Sequence, residues 1–137
     1  ILKFSLGYAS VNEIDLLNIL EATKLSMKRA IKKLCFNNGS IIVDGNIKLI
    51  TNKFSCTNLI KGDQKSVSIA TASIIAKVHR DRYMSYIGNN FPSYNWKKNN
   101  GYGTKEHIKQ IYRHEGQLQL INCERFGEVN AILKISY

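Results

Sequence analysis

The fold of this chain is decided by the stretch Ile41-Ile42-Val43-Asp44-Gly45-Asn46, in which an apolar run ends on an aspartate beside a glycine. Nineteen positions after Asp44, Asp63 ends a second such segment, Lys61-Gly62-Asp63, and a helix rich in small residues follows from Ser68 to Val78. In α/β proteins ligands gather at the carboxyl ends of strands, which is where Asp44 is predicted to lie. Both aspartates also suit ordinary turns, and this alternative stays open.

The two aspartates have the chemistry of metal ligands. A carboxylate that directly follows three apolar residues, as Asp44 does, is costly to desolvate unless a positive charge meets it. Asp63 precedes the start of a predicted helix, where backbone donors favour anions. Mg²⁺ and Mn²⁺ prefer oxygen ligands, and phosphodiester hydrolysis often uses two ions held by several carboxylates. Two carboxylates are few for that task, and the other acidic residues offer no convincing third.

Composition and charge limit the class of protein. The 137 residues have room for one domain, and 20 Lys and Arg against 10 Asp and Glu give a formal charge of +10. Such a charge favours a nucleic-acid partner, although the abundance of Lys and Asn along the whole chain is also a compositional habit. No apolar run is long enough to cross a membrane, and we expect neither a membrane nor a small-molecule cofactor as a partner. The three cysteines lack metal-ligand spacing, which is typical of reduced thiols in a cytoplasmic protein.

Strand and helix signals alternate along the chain, which predicts an α/β fold. A capping box at Ser10 starts a short helix, and Asn18 starts a longer one that Asn37-Asn38-Gly39 stops. That longer helix is expected to present one apolar face, formed by Leu20, Met27, Ile31 and Leu34. The remaining predicted elements are a half-buried strand at Ile1–Leu6, a strand buried on both faces at Ile41–Val43, a strand at Thr57–Ile60, a helix at Val67–Tyr86 whose small residues lie against a sheet, and a helix from Thr104 to Arg113. The tail from Phe126 fits either helix or strand.

The segment Gly101-Tyr102-Gly103-Thr104 suggests contact with a flat partner. Two glycines leave the tyrosine ring free to approach, and an aromatic face can stack on a sugar or a base. A flexible turn before a capped helix is the equally good alternative. Trp96 beside Lys97 and Lys98 is interpreted as a buried anchor for its loop rather than as a grip on a nucleic-acid backbone.

Taken together, these segments resemble ribonuclease HII, the type 2 ribonuclease H of bacteria. They occur in the family's order and cover about residues 4–116. The combination is highly specific, whereas each piece alone is weak. The matching segments are Phe4-Ser5-Leu6-Gly7, Glu13-Ile14-Asp15 with Leu17-Asn18-Ile19-Leu20, Ile42 to Asn46, Ile60-Lys61-Gly62-Asp63, Ala72 to Val78 with Arg80-Asp81, and Gly101-Tyr102-Gly103-Thr104.

The resemblance implies an endonuclease that cuts the RNA strand of RNA–DNA hybrids and the 5′ side of ribonucleotides embedded in DNA, a DNA-repair activity that leaves a 3′-hydroxyl and a 5′-phosphate. In this family four carboxylates hold Mn²⁺ or Mg²⁺, which activates a water for attack on phosphorus. Asp44 matches the third carboxylate and Asp63 the fourth. Tyr102 matches the tyrosine that stacks on the sugar next to the cleavage site. Three further residues fall in family motifs near the site and are assigned phosphate or structural roles, namely Lys61, Ser73 and Lys77.

The chain also departs from the family pattern. Nothing in it matches the Asp-Glu and Gly-Arg-Gly of the family's first strand, which carry two metal ligands and the backbone that senses the 2′-hydroxyl. Asn99-Asn100 replaces the basic pair before Gly-Tyr-Gly-Thr, and Asn122 to Phe126 replaces a family His-Arg-Arg-Ser-Phe-type segment. We therefore expect residues 1–137 to form a single ribonuclease HII-like catalytic domain that lacks its N-terminal segment, with a divergent tail at 117–137.

The expected fold is a ribonuclease H-like mixed sheet flanked by helices, incomplete because its first two strands are absent. The sheet should then split, leaving unpaired buried backbone groups at about 1–3 kcal/mol each, against a stability of about 5–15 kcal/mol for a whole domain. We expect the chain alone to fold poorly, or in a rearranged or oligomeric form, and to be weak or inactive as a nuclease. The alternative function is that of a non-catalytic basic remnant that binds nucleic acid.

Overall fold

The computed structural model of the chain describes residues 2–35, 37, 39–99, 102, 104–114 and 129–135. Strands and helices alternate through most of this length, which confirms the predicted α/β class. The strands are β1 (Leu2–Tyr8), β2 (Ser40–Asp44), β3 (Ser55–Leu59) and β4 (Val129–Ile135). The helices are α1 (Val11–Leu17), α2 (Ile19–Leu34), α3 (Val67–Asn90), α4 (Trp96–Asn99) and α5 (Lys105–Arg113), with 3₁₀ turns at Gly62–Gln64 and Pro92–Tyr94.

The first two helices begin where the sequence predicted. Ser10 Oγ accepts the Glu13 N–H at 3.3 Å while the Ser10 N–H donates to Glu13 Oε2 at 2.8 Å, which completes the capping box of α1. Asn18 ends α1 and caps α2 by accepting the Glu21 N–H at 3.1 Å. The predicted stop of α2 is slightly late, because Cys35 takes a left-handed conformation (φ 50°) and ends the helix at Leu34.

The parallel pair of β2 and β3 lies beside α2. The residues buried between them are Ile31, Ile41, Val43 and Leu49, with Met27 packed at the edge. The prediction that β2 is buried on both faces is wrong, because its residues alternate and Ile42 is 46% exposed. Among the described residues only one face of β2 is covered. Leu20 is likewise 47% exposed, so the predicted apolar face of α2 loses its first member and begins about two turns later, at Met27.

The antiparallel pair of β1 and β4 forms a second sheet, so the described strands make two separate two-stranded sheets, as the expected split implied. The described part of the tail, Val129–Ile135, is a strand. β1 packs closely on α2 because residue 7 is glycine: a Cβ there would lie 1.8 Å from the Ser26 carbonyl oxygen. Ser5 Oγ also donates to the Ala30 carbonyl at 2.6 Å. β4 lies beside α2 and α3 as well as β1.

The long helix α3 leads into a second, aromatic core. It runs to Asn90, beyond the predicted Tyr86, and the chain then turns through Pro92–Tyr94 into α4. The buried members of this core are Met84, Ile87, Tyr94 and Trp96, with Phe91 and Ile111 packed against them. The rings of Tyr94 and Trp96 stack with centroids 5.1 Å apart. Trp96 is 2% exposed, which confirms its predicted role as a buried anchor.

No helix in the described part of the chain is long and apolar enough to span a membrane. The longest of them, α3, carries a run of charged side chains in its middle, namely Lys77, Arg80, Asp81 and Arg82.

Candidate metal and nucleic-acid site

The site is built at the carboxyl ends of the two parallel strands. Asp44 is the last residue of β2 and pairs with Leu59, the last residue of β3. After Asp44 the chain turns at Gly45 (φ 77°), whose N–H donates to the Leu59 carbonyl at 2.9 Å. After Leu59 it turns through Lys61, in a left-handed conformation (φ 54°), into the 3₁₀ turn Gly62–Gln64. Both aspartates therefore follow strands that end at the same edge of one small sheet.

A hydrogen bond joins the two strand ends. Asp44 Oδ1 accepts the Gly62 N–H at 2.8 Å, so the carboxylate at the end of β2 holds the backbone directly before Asp63. Gly62 is buried, and a Cβ in its place would lie 3.1 Å from Asp44 Oδ1 and 2.6 Å from Ile69 Cδ1. Only a glycine lets the backbone approach this closely without moving the carboxylate. Asp44 therefore takes part in a turn and also sets the position of the next acidic residue.

The donor set at this edge fits part of a site for a hard cation. The side chains of Asp44 and Asp63 are both exposed, and carboxylate oxygens are the ligands that Mg²⁺ and Mn²⁺ prefer. In the part of the chain that the structure describes, no group of three or more His, Cys, Asp or Glu residues is placed to hold a metal ion. Among the described residues, this edge therefore offers at most two of the carboxylates that a complete site for such a cation would need.

The predicted residues of α3 lie on a face that begins at the acidic edge. Ile69, in the first turns of the helix, is buried within reach of Gly62. Ser73 and Lys77 follow at intervals of four residues on the same side of the helix and are exposed. At 1.5 Å per residue, Lys77 lies about 12 Å along the helix axis from Ile69. The predicted packing of the small residues therefore does not extend to Ser73, whose side chain is open to solvent.

Tyr102 reaches α3 from a distant part of the sequence. Its N–H donates to the Asn99 carbonyl at 2.9 Å, and the following Thr104 caps α5 by accepting the His107 N–H at 3.2 Å. The Cζ atom of Arg80 lies 5.9 Å from the centre of the Tyr102 ring, within the range of a cation–π contact. Sequence reasoning gave Arg80 no role at the candidate site. The signal that would have drawn attention to it is its position three residues after Lys77 on the same helix face.

A second basic region lies at the end of β1. An open cavity of about 470 Å³ is lined there by Tyr8, Arg29, Lys32 and Lys33. The Nζ atom of Lys33 stands 5.5 Å from the centre of the Tyr8 ring. Arg29 is engaged elsewhere, since it donates to both carboxylate oxygens of Glu13 and to the Tyr8 carbonyl at 2.8 Å. Lys33 Nζ also donates to the Leu6 carbonyl at 2.9 Å, although an ammonium has three donors and can bind an anion as well. Lys32 and the remaining donors of Lys33 are therefore the groups of this cavity that could meet an anionic ligand.

The sequence also matches a known family over nearly its whole length. The model of the family described as Ribonuclease HII matches residues 1–127. This chain belongs to the ribonuclease HII family. The match includes the acidic edge, the Ser73 and Lys77 face of α3, and the Tyr102 segment, and it extends into the first part of the 117–137 tail.

Curated members of the ribonuclease HII family agree with this assignment. The ribonuclease HII of Wolbachia pipientis subsp. Culex pipiens (strain wPip) is 52% identical over 112 residues, which are 82% of this chain and 56% of that protein. That of Orientia tsutsugamushi (strain Ikeda) is 50% identical over 108 residues, 79% of this chain and 52% of the relative. That of Ehrlichia chaffeensis (strain ATCC CRL-10679 / Arkansas) is 46% identical over 133 residues, 97% of this chain and 62% of the relative. The chain spans about half the length of the ribonucleases HII that it matches.

Proposed function

We propose that this chain contributes the catalytic domain of a metal-dependent endonuclease that hydrolyses the RNA strand of RNA–DNA hybrids and cuts 5′ to ribonucleotides embedded in DNA. The products would carry a 3′-hydroxyl and a 5′-phosphate. The observation that carries this proposal is the hydrogen bond from Gly62 to Asp44, because it ties the backbone next to Asp63 to the carboxylate at the end of a parallel strand pair. Family membership supports the same reaction class.

Each predicted residue has a role in this proposal. Asp44 and Asp63 would hold Mn²⁺ or Mg²⁺, which when bound supplies an activated water and neutralises charge on the phosphate. Asp44 also orients the backbone before Asp63. Lys61, Ser73 and Lys77 would contact substrate phosphates, since all three are exposed near or along the acidic edge. Tyr102, which is 61% exposed, would stack on the sugar next to the cleavage site.

The substrate of this proposal is a hybrid duplex or a DNA duplex that contains ribonucleotides. Such a polyanion suits the net charge of +10. We propose that the reaction takes place in the cytoplasm, where free thiols such as those of Cys35 and Cys56 stay reduced, and that it serves DNA repair, as the resemblance to the family implies.

The test is cleavage of a labelled DNA duplex that holds one ribonucleotide, in Mn²⁺ or Mg²⁺. The chain is assayed alone and after fusion to a family-type segment bearing the Asp-Glu pair. We expect cleavage 5′ to the ribonucleotide by the fused form, lost in Asp44→Asn and kept in Asp15→Asn, a matched change at an exposed aspartate of α1. A folded fusion that binds the duplex and never cuts it would contradict the proposal.

A second candidate function is nucleic-acid binding without catalysis. The basic cavity lined by Tyr8, Arg29, Lys32 and Lys33 favours it, because this cavity attracts phosphate without any carboxylate ligand. This second function predicts that the chain binds the duplex equally well with and without divalent metal. It also predicts that neither the unaltered chain nor Asp44→Asn cuts the duplex, and that both bind it equally well.

A further inference from the structure

We propose that Arg80 is a positioning residue that holds the Tyr102 ring in place for stacking on the substrate. This inference rests on the proposed function, since it concerns how the tyrosine of that site is oriented. Arg80 belongs to α3 and Tyr102 to the segment between α4 and α5, so the contact joins two parts of the chain that carry separate sequence motifs.

The contact itself has the geometry of a cation over an aromatic face. The Cζ atom of Arg80 is 5.9 Å from the ring centre of Tyr102. The Nε atom of Arg80 is buried and has no hydrogen-bond partner among the described residues. A buried donor without a partner costs free energy, and the attraction between the guanidinium and the ring offsets part of that cost. The guanidinium is thereby buried at Nε and faces the Tyr102 ring at Cζ.

The rest of the tyrosine is open. Tyr102 remains 61% exposed although Arg80 lies over the ring, which leaves ring surface available for a sugar. The contact with Arg80 of α3 restricts the orientation of the ring before a substrate binds. Less conformational freedom is then lost when the ring meets its ligand.

The position of Arg80 on α3 relates the Tyr102 ring to the residues proposed to contact substrate phosphates. Ser73, Lys77 and Arg80 are spaced by four and then three residues, so they share one face of the helix. Arg80 therefore fixes the stacking residue relative to the face that the proposed function assigns to phosphate contacts. Arginine suits this role better than lysine, because its flat guanidinium stacks on a ring whereas an ammonium is a compact, strongly hydrated charge.

The test measures binding rather than cleavage. The probe is a DNA duplex with one ribonucleotide beside a 2-aminopurine, titrated with the full chain in Ca²⁺. We expect Arg80→Lys to weaken binding by about 2- to 10-fold, as for the loss of one cation–π contact. Arg82→Lys, a matched change at an exposed arginine two residues further along α3, should leave binding unchanged. In the Tyr102→Leu background Arg80→Lys should have no further effect, whereas Tyr102→Phe should preserve the coupling.

Two outcomes would overturn the inference. One is an equal loss from Arg80→Lys with and without the Tyr102 ring, which would make Arg80 an independent phosphate contact. The other is the absence of a ring-current shift of the Arg80 side-chain protons in NMR spectra of the unaltered chain, compared with Tyr102→Leu. This second measurement needs no change at Arg80 and so does not depend on the folding of that variant. Coupled binding without any cleavage by the fused form would contradict the proposed function alone.

Discussion

At the scale of single residues, the hydrogen bond from the Gly62 N–H to Asp44 Oδ1 sets the geometry of the candidate site. The backbone at residue 62 can come this close to the Asp44 carboxylate because glycine has no Cβ, which would lie 3.1 Å from Oδ1. The sequence placed Asp44 correctly at a strand end, because it follows an apolar run, whereas Asp63 lies in the 3₁₀ turn that follows β3. It did not reveal that Asp44 would bind the residue before Asp63, since that depends on the register of β2 with β3.

We predict that Gly62→Ala displaces the Asp44 carboxylate. The added Cβ would lie 2.6 Å from Ile69 Cδ1, which can rotate away, and 3.1 Å from Asp44 Oδ1, which must yield. The expected result is a loss of about 1 to 3 kcal/mol of unfolding free energy and weaker Mn²⁺ binding, measured by urea unfolding and by calorimetry. The control is Gly45→Asn, because nothing lies within 4 Å of a Cβ there and asparagine tolerates a positive φ. Unchanged Mn²⁺ affinity in Gly62→Ala would argue against the site.

At the scale of elements, local signals located the helix starts, whereas burial depended on which neighbours cover each face. Ser10 and Asn18 cap α1 and α2 through side chains within three residues, so their sequence was sufficient. Leu20 and Ile42 are exposed although their patterns favoured burial, because in the described residues no element covers those faces. The Arg80–Tyr102 contact could not be predicted from the sequence either, since it depends on the path of the chain between α3 and α5.

The ion pair between Glu13 of α1 and Arg29 of α2 should stabilise the fold in a pH-dependent way. Hydrogen bonds from Arg29, and then from the Ser10 backbone, lower the pKa of Glu13 from 4.5 to about 2. Because the folded-state pKa lies below the usual value, the stabilisation is complete above pH 4.5 and is lost as the pH falls towards 2. We predict that Glu13→Gln lowers the melting temperature at pH 7 and that this difference disappears near pH 2. Thermal melts followed by circular dichroism measure both.

The comparison variant for that experiment is Glu21→Gln. Glu21 pairs with Lys24, three residues along the surface of α2, and such exposed pairs contribute little. A melting temperature that falls as far in Glu21→Gln as in Glu13→Gln would show that the Arg29 pair has no special role in joining the two helices.

At the scale of the whole molecule, charge should dominate the affinity for nucleic acid. The net charge of +10 is expected to make duplex binding fall steeply with salt. We predict that Lys32→Gln and Lys33→Gln each reduce the slope of log K against log salt by about 1 if the basic cavity contacts phosphate. Fluorescence anisotropy between low and moderate salt provides the measurement. Lys48→Gln, at an exposed lysine outside that cavity, is the matched control, and an equal reduction there would indicate diffuse attraction only.

The pairing of β1 with β4 also sets how the chain would respond to force. Leu2 lies opposite Ile135 and Tyr8 opposite Val129, so residues 2 and 135 lie at the same end of the strand pair. A force that pulls residues 2 and 135 apart would therefore break the hydrogen bonds between β1 and β4 one after another instead of all at once. We expect these two strands to separate at a lower force than either buried core.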